Sequence, residues 1–122
     1  MLINLSNHPY EKWDEKQKQA ALVQFGVVED FPFPLISPNA DLSDIEKLAE
    51  QIFNEINEMH STDMSVHLMG EYVLCYQLTK RFEIKKIPCY ASTTQRKVIM
   101  SPNGEKISLF QFIKFRPYYS FL

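Results

Sequence analysis

The chain is poor in the residues that build dedicated chemical sites. It has only two cysteines and three glycines among 122 residues. Cys75 and Cys89 form no CxxC pair, so neither a zinc site nor a disulfide framework is indicated, and both thiols are expected to be buried. The dinucleotide fingerprint GxGxxG, the Walker lysine loop, HExxH and GxSxG are all missing. The sequence therefore predicts no metal site and no cofactor.

Positive charge and long hydrophobic runs are also scarce. Thirteen Lys and Arg are balanced by fifteen Asp and Glu, which gives a net charge of −2. This balance excludes the electrostatic footprint that a duplex nucleic acid partner requires. No apolar run approaches the roughly 18 residues of a membrane span, and the N-terminus has no signal-peptide pattern. We expect no membrane partner and a cytoplasmic location.

What the chain does contain is enough apolar material for one core. The hydrophobic fraction is 45%, which predicts one domain over residues 1–122. Short apolar runs predict strands over residues 1–6, 27–28, 65–69 and 86–91. The dipeptide Asn103-Gly104 predicts a hairpin between two further strands, over residues 96–100 and 107–115.

Helical spacing predicts three helices between these strands. Asp14 with Gln17 has the spacing of a capping box, and Gly26 would end the helix that it opens. Ser43 with Glu46 has the same spacing and precedes the clearest amphipathic run, which continues to Met59. The third helix is predicted over residues 71–82. Three prolines within residues 32–38 predict an extended loop instead of a central strand.

This alternation predicts a mostly parallel α/β sheet with strand order 2-1-3-4 and the antiparallel hairpin at its edge. The winding direction of such a sheet reverses between strands 1 and 3. Ligands of open sheets bind at that reversal, outside the carboxyl ends of the strands. Polar clusters follow strands 1, 3 and 4, so their members are the candidate site residues: Asn7, His8, Gly70, Glu71, Ser92, Thr93, Thr94 and Arg96.

Each candidate also has a purely structural interpretation. His8 is suited to proton transfer, but Asn-His-Pro is also an ordinary turn. Gly70 and Glu71 open a helix, where backbone freedom and the helix dipole alone favour a glycine and a carboxylate. The run Ser92-Thr93-Thr94 could simply end a strand, although hydroxyls followed by Arg96 match the acceptors of a phosphodiester.

The two other histidines have no assigned role. His67 is interpreted as a hydrogen-bonded core residue, because it lies within a buried strand. His60 is interpreted as a loop residue. Neither is positioned to complete a metal site.

Several segments together resemble a known family. Asn-Leu-Ser-Asn-His-Pro with Trp13 and Gln17, the Asp30-Phe-Pro-Phe-Pro run, the Met-Gly-Glu junction, the Ser-Thr-Thr-x-Arg segment and the closing residues 112–118 are similar to small CRISPR-associated proteins of type III systems. Those proteins resemble the CARF domain, a Rossmann-like module that binds cyclic oligoadenylates, and some are ring nucleases. The resemblance extends over nearly the whole chain.

The resemblance implies a single Rossmann-like domain, a homodimer with a cyclic oligoadenylate on its two-fold axis, and cleavage of that ring without a metal ion. A ribose 2′-oxygen would attack the neighbouring phosphorus. In this interpretation His8 transfers protons and Thr93 and Arg96 stabilise phosphoryl charge, while Asn7, Gly70, Glu71, Ser92 and Thr94 bind the ligand.

Two alternatives stay open. One is a CARF-like sensor or buffer that holds the nucleotide without cutting it. The other is a small Rossmann-like protein of unrelated nucleotide or phosphate metabolism.

Overall fold

Five strands form one sheet in the order β2-β1-β3-β4-β5 in a computed structural model that describes residues 1–59 and 62–121. The strands are β1 (Leu2–Ser6), β2 (Val28–Asp30), β3 (Ser65–Met69), β4 (Cys89–Met100) and β5 (Lys106–Pro117). The helices are α1 (Glu15–Phe25), α2 (Leu42–Asn57) and α3 (Tyr72–Ile84). His60, interpreted from the sequence as a loop residue, lies outside the described residues.

The predicted sheet order is confirmed. β1 pairs in parallel with β2 on one side and with β3 on the other, and β3 pairs in parallel with β4. β5 is antiparallel to β4, and the predicted turn at Asn103-Gly104 joins them, with Gly104 in the left-handed region at φ 80°. The reversal of winding therefore lies between β1 and β3, as the alternation of elements indicated.

The predicted break between separate strands over residues 86–91 and 96–100 is wrong. β4 runs without interruption from Cys89 to Met100, and β5 pairs with it along this whole length. The Ser and Thr side chains do not end the strand because β5 supplies ladder partners on that side, and threonine suits such a pleated surface. One bulge interrupts the ladder between Thr93 and Thr94.

The helix ends follow the predicted capping in one case and depart from it in another. The Asp14 carboxylate accepts a hydrogen bond from Gln17 N at 2.7 Å, and Gly26 ends α1 at φ 83°. For α2 the predicted cap at Ser43 is wrong. The helix begins at Leu42, and the Asp44 carboxylate accepts from Asp41 N at 2.9 Å. The capping box is therefore formed by an aspartate pair two residues earlier in the chain.

The two faces of the sheet are covered differently. Alternate residues of β1, Ile3 and Leu5, point to the face under α2 and α3, where a largely aliphatic cluster is buried. The opposite face carries α1 and a smaller cluster of mainly aromatic side chains that includes Trp13, Phe112 and Phe115. Because a single helix covers that second face, its cover stops short of the carboxyl ends of β1 and β3.

The aromatic tail folds back onto the sheet. The Tyr118 hydroxyl donates to Leu68 O at 2.6 Å, and the Tyr119 hydroxyl donates to Ile87 O. These bonds tie the segment after β5 to the strand and loop beneath α3. Within the described residues, no helix has the length and apolar character needed to cross a membrane.

Candidate functional site

A cleft of about 660 Å³ opens on the α1 side of the sheet, beside the carboxyl ends of β1 and β3. Five of the residues selected from the sequence line it: Asn7, His8, Gly70, Ser92 and Thr94. The polar segments that follow β1 and β3 therefore meet as predicted. The third polar segment reaches the same cleft from within β4, because Ser92 and Thr94 lie on the face of that strand that points toward α1.

A buried amide network holds the floor of the cleft. Asn4 is almost fully buried, and its Nδ2 donates to Asp30 Oδ1 and to His8 O, both at 2.8 Å. Two acceptors on one side fix the orientation of the amide, so Oδ1 must face the donors. The Ser6 hydroxyl donates to this oxygen at 2.7 Å. The network joins β1 to β2 and supports the backbone of the Asn7-His8-Pro9 turn.

The same turn is held from the other side by an aromatic ring. Trp13 Nε1 donates to His8 O at 3.1 Å, and the indole packs edge-on against Tyr10 with ring centroids 5.4 Å apart. The carbonyl of His8 thus accepts from two buried side chains, Asn4 and Trp13. The imidazole of His8 is exposed at the cleft, although its backbone is anchored.

His67 lies under this cleft as a neutral imidazole with a defined tautomer. Its ring is 2% exposed, and Nδ1 lies 2.9 Å from Asn4 Oδ1. Because Asn4 Oδ1 can only accept, Nδ1 carries the proton and Nε2 carries a lone pair. Burial, followed by the charge of His8, lowers the pKa of His67 to about 4. The interpretation of His67 as a hydrogen-bonded core residue is confirmed for Nδ1. Nε2 has no hydrogen-bond partner in the described chain.

Three of the selected residues do not line the cleft. The Thr93 hydroxyl lies at the bulge, where it donates to Lys114 O at 3.1 Å and accepts from Lys114 N at 3.2 Å. The Arg96 guanidinium donates to the Ser108 hydroxyl at 2.9 Å. Arg96 pairs across the hairpin with Phe110, which lines the cleft, so Arg96 lies at the edge of the cleft on the same face.

Glu71 is the third of these residues, and it caps α3. Its carboxylate accepts from Val73 N at 3.0 Å and from Leu74 N at 2.7 Å. The first amides of a helix can bind an anionic ligand when they have no other partner. Those two amides are instead satisfied by the carboxylate of the chain itself, whose negative charge would repel an anion. The carboxylate thus has the structural role that the helix dipole favours.

Gly70 has a steric reason for its identity. A Cβ at this position would lie 2.3 Å from the nearest atom of the Phe33 ring. The ring comes from the proline-rich loop after β2 and packs directly over the glycine. Backbone freedom was the structural reason given for this glycine from the sequence, and the close approach of an internal aromatic ring is a further reason.

Several cleft residues were not selected from the sequence as site residues. Lys12 and Gln17 add a cation and an amide, and Tyr72 and Phe110 add aromatic rings that are 91% and 65% exposed. Lys12 and Gln17 follow the Asn-His-Pro turn by a few positions, and Tyr72 follows Glu71 directly. Their proximity to the predicted clusters was the available signal. No feature of the sequence indicated Phe110, because the register of the β4–β5 hairpin is what brings this residue to the cleft.

Both cysteines are buried, as expected. Cys75 is 8% exposed and Cys89 is fully buried. Burial raises the pKa of Cys75 to about 11 and raises the pKa of Cys89 further. Neither thiol is therefore suited to act as a nucleophile near neutral pH.

The chain matches a known protein family. A family model described as "Uncharacterized protein MJ1673 family" matches residues 1–116. No curated protein matches the chain.

Proposed function

The chain belongs to the MJ1673 family, and from its cleft we propose that it binds a cyclic oligoadenylate and opens the ring by metal-independent attack of a ribose 2′-oxygen. One observation carries the proposal. An imidazole, a cation and exposed aromatic rings surround a single cleft at the point where the winding of the sheet reverses. Those three kinds of group correspond to proton transfer, phosphate binding and base stacking.

The aromatic rings favour a ligand with bases. Tyr72 and Phe110 lie at the cleft with most of their surface in solvent. An exposed ring next to a cleft offers a stacking platform, which contributes about 1–3 kcal/mol per base in single-stranded nucleic acid complexes. The volume of about 660 Å³ accommodates part of such a ring. A whole cyclic ligand would need two clefts, which is why a homodimer belongs to the proposal.

Phosphate binding is assigned to Lys12 in preference to Arg96. Lys12 lines the cleft, whereas Arg96 lies at its edge with its guanidinium on Ser108. Ser92 and Thr94 line the same wall. The Thr94 hydroxyl can donate to phosphoryl oxygens, whereas the Ser92 hydroxyl donates to Met69 Sδ at 2.9 Å and would have to turn toward a ligand. Arg96 keeps a role at the rim, where its charge attracts an anion without contacting the reacting phosphate.

His8 is the proposed proton carrier. Its carbonyl is anchored by Asn4 and Trp13, so the exposed imidazole projects from a fixed point on the cleft wall. The imidazole would take the proton of the attacking 2′-hydroxyl or return one to the leaving 5′-oxygen. The P–O bond to the 5′-oxygen breaks as the bond to the 2′-oxygen forms, which leaves a 2′,3′-cyclic phosphate end.

The test uses cyclic tetra- and hexa-adenylate with a chelator present, and chromatography resolves the products. His8→Ala should lower the cleavage rate about 10²–10⁴-fold and leave binding nearly unchanged. Lys12→Ala should weaken binding by about tenfold or more, because a charge-assisted hydrogen bond contributes about 1.5–3 kcal/mol. Lys16→Ala, an exposed lysine on α1, is the matched control. Arg96→Ala should weaken binding less than Lys12→Ala does.

One observation favours the sensor as a second candidate. Thr93 and Arg96, two of the three residues first selected for catalysis, are bonded within the hairpin. A protein that binds the ring tightly and never cleaves it, with His8→Ala equal to the native chain, would be a sensor or buffer. Absence of binding to either ring would contradict both candidates and favour an unrelated nucleotide ligand.

A further inference from the structure

One buried nitrogen at the floor of the cleft has no partner within the protein. His67 lines the cleft and is 2% exposed, and its Nε2 has no hydrogen-bond partner among the residues that the structure describes. Within residues 1–59 and 62–121, no other buried side-chain nitrogen or oxygen lacks a partner. Native proteins pair nearly all such atoms, so a single exception beneath a cleft indicates that a ligand completes it.

The surrounding hydrogen bonds make this nitrogen an acceptor. Asn4 Nδ2 donates to Asp30 Oδ1 and His8 O, so Asn4 Oδ1 faces His67 and accepts the proton of Nδ1. Burial, followed by the charge of His8, lowers the pKa of His67 to about 4, so Nε2 gains no proton near neutral pH. A ligand group that pairs with Nε2 must therefore donate an N–H or O–H. Ionised phosphate and carboxylate oxygens carry only lone pairs, which excludes them from this position.

The side chains around His67 favour a flat aromatic ring as the bearer of that donor. Trp13 packs edge-on against the imidazole with ring centroids 5.1 Å apart, and Phe115 does so at 5.6 Å. Phe112 lines the same cleft. Apolar rings of this kind suit a heteroaromatic base, whereas a sugar hydroxyl or an ammonium group would lose hydration among them. Lys12 at the cleft further disfavours a cationic donor.

We propose that His67 Nε2 accepts a hydrogen bond from a base of the bound nucleotide and selects for the amino group of adenine. The choice of adenine rests on the proposed function. When N9 of adenine is joined to ribose, the 6-amino group holds the only N–H donors of the base, so that group must make the contact. His67 is then a residue that determines specificity, and the proton transfer stays assigned to His8.

The amino group reaches Nε2 when a side chain at the floor of the cleft shifts, because so little of His67 is exposed. Met69 follows His67 by two residues on the same face of β3, toward the carboxyl end where the cleft opens. Its unbranched thioether changes conformation readily. The Ser92 hydroxyl donates to Met69 Sδ at 2.9 Å, so the same movement would free that hydroxyl for the ligand.

The test compares adenosine 5′-monophosphate with purine riboside 5′-monophosphate, which is the same nucleotide without the 6-amino group. Calorimetric titration of the native chain should show about tenfold tighter binding of the first nucleotide, because only that one pairs the buried acceptor. His67→Asn should lose this preference. Its amide can still donate to Asn4 Oδ1 from near the position of Nδ1, but it is too short to reach the position of Nε2.

The other imidazole of the cleft provides the matched control. His8→Asn removes a ring that is exposed at the same cleft, and this variant should keep the preference for adenosine 5′-monophosphate. Circular dichroism must show that both variants have the native fold. If His67→Asn does not fold, the affinities and spectra of the native chain decide.

Nuclear magnetic resonance gives a direct readout on the native chain. Long-range proton–nitrogen correlation spectra of isotopically labelled protein distinguish the two ring nitrogens of His67. Adenosine 5′-monophosphate should shift the Nε2 signal, whereas purine riboside 5′-monophosphate should not. The Nδ1 signal should change little with either nucleotide, because its bond to Asn4 is kept.

Four results would overturn the inference. They are equal affinities of the native chain for the two nucleotides, no binding of adenosine 5′-monophosphate at millimolar concentration, an Nε2 signal that does not respond to the bound nucleotide, and an unchanged preference in folded His67→Asn. Cleavage of cyclic tetra-adenylate by a chain with equal affinities would keep the proposed function and remove this role of His67. The tenfold preference without binding of any cyclic oligoadenylate would keep the role and contradict the proposed function.

Discussion

The two faces of the sheet are formed by the same strands but are stabilised by different interactions. Under α2 and α3, Ile3, Leu5, Val66 and Leu68 meet the apolar sides of two helices and are fully or nearly fully buried. On the α1 face the alternate residues of the same strands include Asn4, Ser6 and His67, which are just as buried but polar. One face is a packed core, and the other combines aromatic edges with hydrogen bonds.

The difference shows why the cleft opens where it does. Two helices side by side cover one face completely, whereas α1 alone leaves the carboxyl ends of β1 and β3 uncovered. Polar residues at those ends can bond to a turn, to Asp30 or to a ligand, which buried aliphatic side chains cannot do. The candidate site thus lies on the face with the weaker hydrophobic cover.

The strongest test of this comparison truncates one leucine in each helix layer. Leu78→Ala in α3 removes a fully buried side chain, and we expect it to lower the free energy of unfolding by about 2–5 kcal/mol. Leu22→Ala in α1 removes a side chain that is 58% exposed, and its effect should stay within about 0.5 kcal/mol. Urea denaturation measures both. Equal losses would mean that α1 is packed as tightly as α3.

The next largest effect is a pH dependence of the free energy of unfolding, which we expect from His67 on the α1 face. Burial lowers the pKa of His67 from 6.5 to about 4, so its contribution to stability is complete above pH 6.5 and is lost as the pH falls toward 4. We expect this loss to be on the order of 3 kcal/mol.

The measurement compares unfolding at pH 7 and pH 4.5 in the native chain and in His67→Gln. Glutamine keeps a donor for Asn4 Oδ1 but does not titrate, so the variant should lose less stability on acidification. Other titrating groups contribute equally to both proteins. If the two proteins lose the same amount, His67 is not the neutral group that the hydrogen bonding indicates.

A smaller effect is expected where a loop closes over the start of α3. Gly70→Ala places a methyl group against the Phe33 ring, which must shift, at a cost of about 1–3 kcal/mol. Phe33→Leu should recover part of this loss in the double variant, because the shorter side chain leaves room. Thermal unfolding of the four proteins gives the coupling between the two positions. Additive effects would show that the ring is not the obstacle.

The smallest change in stability is expected at Glu71, where a substitution distinguishes a capping role from a role in ligand binding. Glu71→Ala should cost about 1 kcal/mol of stability, as the loss of an N-cap does, while ligand affinity stays unchanged. Glu71→Asp, which can still cap, should retain the stability of the native chain. Calorimetric titration with cyclic tetra-adenylate provides the second readout. A clear drop in affinity with normal stability would restore the sequence-based assignment of Glu71 to the ligand.

The local sequence pattern was enough to predict the strand order of the sheet, but it did not predict the full length of β4. The order of the strands was predictable because the alternation of strand and helix, with right-handed crossovers, leaves few topologies. The run Ser92-Thr93-Thr94 was placed between two separate strands because hydroxyl residues are common in turns. Nothing local shows that β5 will pair with this run. The same limit applies to Arg96, whose partner Ser108 lies across the hairpin.

The sequence by itself determined the α/β class, the sheet order, the α1 cap at Asp14, the hairpin turn and the meeting of Asn7, His8 and Gly70. Those features follow from spacing along the chain and from strand direction, which are local properties. Only the tertiary structure decided that Phe33 packs over Gly70 and that Asn4 fixes the tautomer of His67. These depend on distances between residues far apart in the chain, and hydrophobic periodicity carries no information about such distances.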